Sequence, residues 1–140
     1  MLAVLALAVS CGGDDETPAA ARTILTLAPS VDGGMDALGT GQLDIRADGC
    51  VFSVYDNLAK AVVWPQGTTL NSTGDALLLG DGRTIARRTM LQFGGGSVPL
   101  SDALESFTVN PSPEAIACAE SADMDSVFVM QSDPSNIEVL

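Results

Sequence analysis

The sequence predicts one mainly β domain, a small curled sheet or barrel with one short helix, and three observations support this fold class. Short apolar segments alternate with turn residues from residue 42 to residue 131, as they do in β proteins. A strong helix signal occurs near residue 113. The chain has 140 residues, of which 46% are hydrophobic, so it is long enough for one domain and too apolar for a disordered acidic segment.

The first half of this region is expected to form five short strands. In the first strand Leu43 and Ile45 alternate with polar neighbours, and Asp48-Gly49 supplies a turn. The next four strands are Val51 to Tyr55, Ala61 to Trp64, Ala76 to Leu79 and Arg83 to Ala86. Asp56-Asn57 is expected to reverse the chain. Asp81-Gly82 predicts a hairpin with a type I′ turn, which needs positive φ at both central positions.

The helix is expected to begin after Ser112, which is a favourable N-cap residue. Pro113 suits the first helical position, and Glu114 lies near the positive end of the helix dipole. The residues from Ala115 to Ala119 continue this helix for about two or three turns. Residues 101–106 are expected to add at most a single further turn.

The remaining strands lie on either side of this helix. Met90 to Phe93 and Val98 to Leu100 flank Gly94 to Gly96, where a bulge or a tight corner is expected. Val127 to Met130 is the last strand and is expected to close the sheet beside an early one, with residues 132–140 as a C-terminal tail. Six or seven short strands in about 90 residues are typical of a small curled sheet or barrel, of which an OB-like β-barrel is one form.

Charge and composition exclude several classes of function. The chain has 6 Lys and Arg against 18 Asp and Glu, a formal net charge of -12, which disfavours binding to nucleic acid and to anionic lipid headgroups. It contains no histidine, so Ser-His-Asp and Cys-His nucleophile systems and HExxH zinc sites are excluded. We therefore predict no catalytic residue, no metal ligand set and no cofactor.

The N-terminal residues indicate export. Met1 to Val9 are all apolar, a run too short to cross a bilayer but suited to an export signal. The end of this run and the two residues after it, Ala8-Val9-Ser10-Cys11, resemble the lipobox of bacterial lipoproteins, although Ala8 stands where leucine is preferred. The resemblance implies a signal peptide at residues 1–10, lipidation of Cys11 and a lipid anchor in the bacterial cell envelope. An ordinary secretory signal, or a buried strand with an ordinary thiol, is the alternative.

Residues 11–41 are assigned to the lipidated cysteine and a flexible linker. Residues 12–22 (GGDDETPAAAR) are polar and acidic, as in a self-repelling tether. Within the rest of this range Ile24 to Ala28 is apolar, which leaves an ordered edge strand open as an alternative to linker.

The two remaining cysteines, Cys50 and Cys118, are predicted to form a disulfide, because an even pair in an exported protein favours one. Two buried free thiols are the alternative. The bond would link the second strand of residues 42–131 to the helix and would stabilise a domain whose core is marginal on burial alone.

Candidate ligand sites are few in this sequence. Trp64, the only tryptophan, is either a surface platform for a ligand or, as we favour, a core residue at a barrel end. Asp123 and Asp125 invite a calcium site, but they lack the EF-hand pattern, and a turn before a strand explains them equally well. With 18 acidic residues, some pair of carboxylates will always look suitable for glycoside hydrolysis.

Several segments together resemble the small secreted β domains of uncharacterised bacterial lipoproteins: Gly49-Cys50, Val62 to Thr68, Asp81-Gly82 and Gly94 to Gly96. This resemblance implies a fold and a location, but no activity. We predict a cell-envelope lipoprotein that acts as a non-catalytic binding or structural module, with the membrane and an envelope protein or glycan as partners. The alternative is a small carboxylate-dependent hydrolase, or a carbohydrate- or cation-binding accessory protein. An enzyme should show convergent carboxylates of raised pKa in a pocket, and an interaction module an exposed apolar patch.

Overall fold

The computed structural model describes residues 21–29, 31, 35–108 and 110–140, so the predicted signal peptide and the predicted lipidation site Cys11 lie outside it. Within these residues the fold is mainly β, with two sheets and two short helices. The strands are β1 (Leu25–Thr26), β2 (Ala37–Ile45), β3 (Val51–Tyr55), β4 (Leu58–Lys60), β5 (Val62–Trp64), β6 (Thr69–Leu70), β7 (Ala76–Leu78), β8 (Thr84–Ala86), β9 (Met90–Pro99), β10 (Ser126–Met130) and β11 (Glu138–Val139).

The larger sheet is strongly curled into a half-barrel. Its strand order is β1-β5-β10-β9-β2-β3-β4, with β11 also paired to β9. The chain passes from β4, at one end of this order, to β5, near the other end, through Ala61 alone. Because one residue spans at most about 3.6 Å, the two ends of the sheet must approach each other. The predicted curled β fold is confirmed.

The hairpin turns are formed at the predicted positions, and the type I′ turn expected at Asp81-Gly82 is found instead at Asp56-Asn57. Asp56 and Asn57 both have positive φ (52° and 61°), so the two-residue turn between β3 and β4 is of type I′. At Asp81-Gly82 the β7–β8 hairpin forms, but Gly82 alone is left-handed, with a φ of 93°. The Gly82 N–H donates to the carbonyl of Leu79. A three-residue loop therefore replaces the expected type I′ turn there.

The glycine run lies inside a continuous strand rather than between two strands. β9 pairs with β2 through Met90 to Gly95 and with β10 through Gly95 to Pro99. Gly95 has a φ of 155°, and a Cβ at this position would collide with the carbonyl oxygen of Val129. Glycine is required where β9 is flanked closely on both sides, because any side chain would push the neighbouring strand away.

Two short helices cover the outer face of the half-barrel. The first, α1 (Leu100–Asp102), continues as a π-helical segment over Ala103–Phe107, so the single turn expected at residues 101–106 is a longer element. The second, α2 (Pro113–Glu120), is the predicted helix, and Ser112 Oγ accepts a hydrogen bond from the Ala115 N–H at 3.0 Å. The buried alanines of these helices let them lie close to the sheet.

Side-chain alternation along the strands separates two hydrophobic cores. On β10, Val127 and Val129 face the helices, whereas Phe128 and Met130 face the inside of the curl. The inner core contains Ile24, Leu43, Ile45, Val51, Val62, Trp64, Leu77, Leu79, Ile85, Leu91, Phe93, Phe128, Met130 and Ile137. Both faces of the sheet are therefore packed along most of its length.

The packed unit extends beyond residues 42–131 at both ends. The apolar run from Ile24 to Ala28 is largely buried, and β1 pairs in parallel with β5, as the edge-strand alternative expects. In the predicted tail, β11 pairs with β9 and Ile137 is 1% exposed. Both segments are too short to be recognised from periodicity, and their pairing partners are distant in the sequence.

The predicted disulfide between Cys50 and Cys118 is present, with the two Cα atoms 5.4 Å apart. It joins the residue before β3 to α2 and packs with Phe52 and Ala59 in a small third cluster. The bond therefore attaches α2 to the sheet covalently, on the outer side of the half-barrel.

Breaking this disulfide should lower the stability of the domain. The bond closes a loop across a sequence separation of 68 residues, and chain entropy predicts a loss of about 4 kcal/mol when such a loop is opened. We expect reductant to shift the urea unfolding midpoint of the wild type to lower concentration. The Cys50→Ala/Cys118→Ala variant should unfold at that lower concentration with and without reductant. If reductant leaves the urea unfolding midpoint of the wild type unchanged, the prediction is contradicted.

Candidate functional site

An open cavity of about 250 Å³ lies at one end of the half-barrel. Its floor is formed by Phe93 and Phe128, whose rings meet edge to face with centroids 4.9 Å apart. Both residues also belong to the inner core. The cavity is therefore the unfilled end of the barrel interior, with the aromatic pair separating it from the packed part.

Strand alternation explains which side chains line this cavity. Leu58 and Lys60 on β4 line it, and the next residues of the same parity, Val62 and Trp64 on β5, enter the inner core. The intervening Ala59 is buried against the disulfide cluster on the outer side. Every second residue from Leu58 to Trp64 therefore points to the inner side. The first two, Leu58 and Lys60, line the cavity, and the next two, Val62 and Trp64, belong to the packed core.

Two neighbouring strands complete the walls. On β3, Ser53 pairs with Lys60 and Tyr55 pairs with Leu58, so all four lie on the inner side. On β2, a Cβ added to Gly39 would collide with the Phe93 ring and lie 3.0 Å from Cε2 of Phe128. A glycine at this position therefore allows the aromatic floor to lie where it does.

The rim of the cavity is made of exposed apolar side chains. Leu38 is 68% exposed, Tyr55 64%, Leu58 48% and Met124 39%. A second concavity, lined by Leu38, Thr40 and Tyr55, adjoins the first and shares these three residues with it. The concave surface thus continues outward from the mouth over β2 and β3 and becomes more polar there.

Lys60 is the only lysine in the sequence and the only charged residue in the cavity lining. Its Nζ donates a hydrogen bond to Ser97 Oγ at 2.6 Å and lies 5.9 Å from the centre of the Phe128 ring. β4 and β9 are not neighbours in the sheet, so this bond crosses the inside of the curl. Among the described residues, Arg46 and Arg83 form ion pairs with Asp44 and Asp81, whereas Lys60 has no carboxylate within 4.0 Å.

Burial lowers the pKa of Lys60 below its usual value. The carboxyl groups with shifted pKa values lie elsewhere, in exposed loops. The Asn71 side chain lowers the pKa of Asp75, and backbone N–H groups of Arg83 and Ser135 lower those of Asp81 and Asp133. These shifts favour ionised carboxylates, the opposite of the raised pKa values expected of a catalytic acid.

The structure separates Trp64 and the paired cysteines from this cavity, whereas Asp123 and Asp125 flank its rim residue Met124. Trp64 is 1% exposed and belongs to the inner core, so it offers no surface to a ligand. This is the core position that we favoured from the sequence. Cys50 and Cys118 form the disulfide, and the predicted lipidation site Cys11 lies outside the described residues. Sequence reasoning missed Lys60. The signal was present in the alternation of Leu58, Lys60, Val62 and Trp64.

Comparison with protein-family models, with curated proteins and with solved structures finds no match to this chain. Among the described residues, no cluster of three or more Cys, Asp or Glu side chains is arranged to hold a metal ion. In that same part of the chain, no helix has the length and hydrophobicity needed to span a bilayer.

The lowered pKa of Lys60 predicts a pH-dependent difference between the wild type and Lys60→Met. Between the folded pKa and the ordinary value of 10.5, the unfolded chain binds the proton more tightly, so stability should rise with pH through this window. The wild type should therefore gain free energy of unfolding relative to Lys60→Met as the pH rises toward 10.5.

Urea unfolding across this pH range measures that difference. Arg87→Met is the matched control, because it also removes one positive charge but leaves Lys60 in place. Its difference from the wild type should stay constant. If the free energies of unfolding of the wild type and Lys60→Met change with pH in parallel, burial does not lower the pKa of Lys60.

Proposed function

We propose that this protein is a cell-envelope lipoprotein whose β domain is a non-catalytic binding module, with the cavity above Phe93 and Phe128 as its ligand site. The observation that carries the proposal is an open cavity with an aromatic floor and an exposed apolar rim at the end of a packed half-barrel. Mouths of β-barrels are common sites for small ligands.

The energetics of the rim favour a binding role over a purely structural one. Apolar surface that stays in water costs about 25 cal/mol of free energy for each Å², compared with the same surface buried. Four side chains carry this cost together around one opening: Leu38, Tyr55, Leu58 and Met124. The chain as a whole is strongly acidic and has few aromatic residues, so this cluster stands out on its surface. Clustered exposed apolar side chains of this kind mark interaction sites.

The size and chemistry of the cavity favour a small, mainly apolar ligand. Its volume of about 250 Å³ is close to the lower end of small-molecule sites, which begin at about 300 Å³. No Asp or Glu lines it. The alternative of a carboxylate-dependent hydrolase, which needs two such groups facing the substrate, therefore gains no support at this site.

Three observations support the proposed location. The Ala8-Val9-Ser10-Cys11 stretch resembles a lipobox, and residues 12–22 have the composition of a tether. The Cys50–Cys118 disulfide suits an oxidising compartment outside the cytosol. A lipid anchor on Cys11 would hold the binding domain near the membrane surface.

The ligand site can be tested with a neutral apolar fluorophore, N-phenyl-1-naphthylamine. We expect it to bind the wild-type domain with enhanced emission, and the Leu38→Gln/Tyr55→Gln variant to bind about tenfold more weakly, because two apolar walls are lost. The matched control is Leu78→Gln/Met90→Gln, which removes two exposed apolar side chains away from the cavity. Equal affinity for both double variants would place binding elsewhere.

The anchor can be tested by labelling cells that express the full chain with radioactive palmitate. The wild type should be labelled and sediment with membranes, and Cys11→Ser should be unlabelled and released. Ser10→Ala is the matched control, because it changes the neighbouring residue but keeps a small side chain before the cysteine. Membrane retention of Cys11→Ser would contradict the lipoprotein proposal.

A further inference from the structure

We propose that the ligand of this cavity is an elongated amphiphilic monoanion, whose carboxylate binds Lys60 and Ser97 and whose apolar chain lies over Phe93 and Phe128. The inference rests on the proposed binding function and specifies the class of ligand for the same site. Four observations carry it: the donors at Lys60, their desolvation, the charge distribution and the shape of the apolar surface.

The donors at Lys60 are arranged for a carboxylate. An ammonium has three N–H donors, and one of them is used on Ser97 Oγ. Because that oxygen accepts from Lys60, its own hydroxyl hydrogen is available for another acceptor. An ammonium N–H and a hydroxyl O–H side by side match the two oxygens of one carboxylate, in charge-assisted hydrogen bonds.

Desolvation makes an anion preferable to a neutral ligand. Burial already disfavours the charged form of Lys60, as its lowered pKa indicates. A neutral ligand that fills the cavity would remove more water from the ammonium without replacing its interactions. An anion in contact with Nζ removes the same water and supplies an opposite charge, so the site selects against neutral molecules of equal shape.

The overall charge of -12 does not oppose this selection. Asp123 and Asp125 flank the rim residue Met124, and the Asp123 carboxylate accepts a hydrogen bond from the Ala59 N–H at 2.8 Å. Repulsion from these and from the other carboxylates is screened over a Debye length of about 8 Å at physiological ionic strength, whereas contact with Nζ is much less screened. The guanidinium groups of Arg46 and Arg83 are already paired with carboxylates. Arg87 and Arg88 are exposed but do not line the cavity, so Lys60 is the cation that an anion meets beside the apolar floor.

The apolar surface has the shape of a path. The donors, Lys60 and Ser97, lie on β4 and β9, and the aromatic floor adjoins them. From there the apolar surface continues to the exposed side chains of Leu38 and Tyr55 on the rim. A chain-like apolar body with its charge at one end follows this path better than a compact one.

The test compares octanoate, octan-1-ol and octylammonium as competitors of N-phenyl-1-naphthylamine on the wild-type domain. We expect octanoate to bind at least about tenfold more tightly than octan-1-ol, and octylammonium most weakly. Lys60→Met should bind octanoate and octan-1-ol equally, and Lys60→Arg should keep part of the preference. Arg87→Met has the same net charge as Lys60→Met and should keep all of it. Octanoate should also bind roughly tenfold more tightly than hexanoate, because it buries two more methylenes.

The outcomes separate this inference from the proposed function. If the fluorophore binds and the rim variant weakens it, but octanoate is no better than octan-1-ol, the binding module stands and the anion inference fails. An equal loss of preference in Arg87→Met would also overturn it, because net charge rather than Lys60 would be responsible. If neither the fluorophore nor any octyl compound binds the wild type, the proposed function itself fails. Urea unfolding of Lys60→Met and Lys60→Arg confirms that both variants are folded before they are compared.

Discussion

The continuity of the chain through Ala61 is the constraint on which the rest of this structure depends. One residue joins β4 and β5, which lie at opposite sides of the sheet order, so the sheet must curl until they meet. The side-chain alternation runs unbroken through the junction, with Leu58, Lys60, Val62 and Trp64 on the inner face. The same stretch therefore shapes the half-barrel, supplies part of its core and places its only lysine in the cavity.

The cavity exists because small and polar residues surround the aromatic pair on the inner face. Next to Phe93 and Phe128 lie Gly39, Ser53, Lys60 and Ser97, and the larger side chains of Tyr55 and Leu58 are exposed at the rim. None of these can fill the curl at the density of a protein interior. Stability is instead provided on the outer face, where two helices pack through alanines and the Cys50–Cys118 disulfide attaches α2 to the sheet.

The cationic side chains show how differently local and distant partners act. Arg83 bonds to Asp81, two residues before it, and also reaches the carbonyls of Ile137 and Pro134. Arg46 pairs with Asp44 and lies over the ring of Phe52. Lys60 instead meets a neutral hydroxyl from a distant strand, inside an apolar cavity. Its charge is therefore less compensated than those of Arg46 and Arg83.

Much of this architecture was determined by local sequence alone. Strand segments, the reversal at Asp56-Asn57 and the helix after Ser112 depend on neighbouring residues, so pattern and turn chemistry predict them. The disulfide followed from counting cysteines. The tertiary structure alone decided the parallel pairing of β1, the return of β11 to β9 and the meeting of Lys60 with Ser97 across 37 residues. These contacts follow from the curl of the sheet, whose strand order pairs segments far apart in the chain, and local preferences carry no information about it.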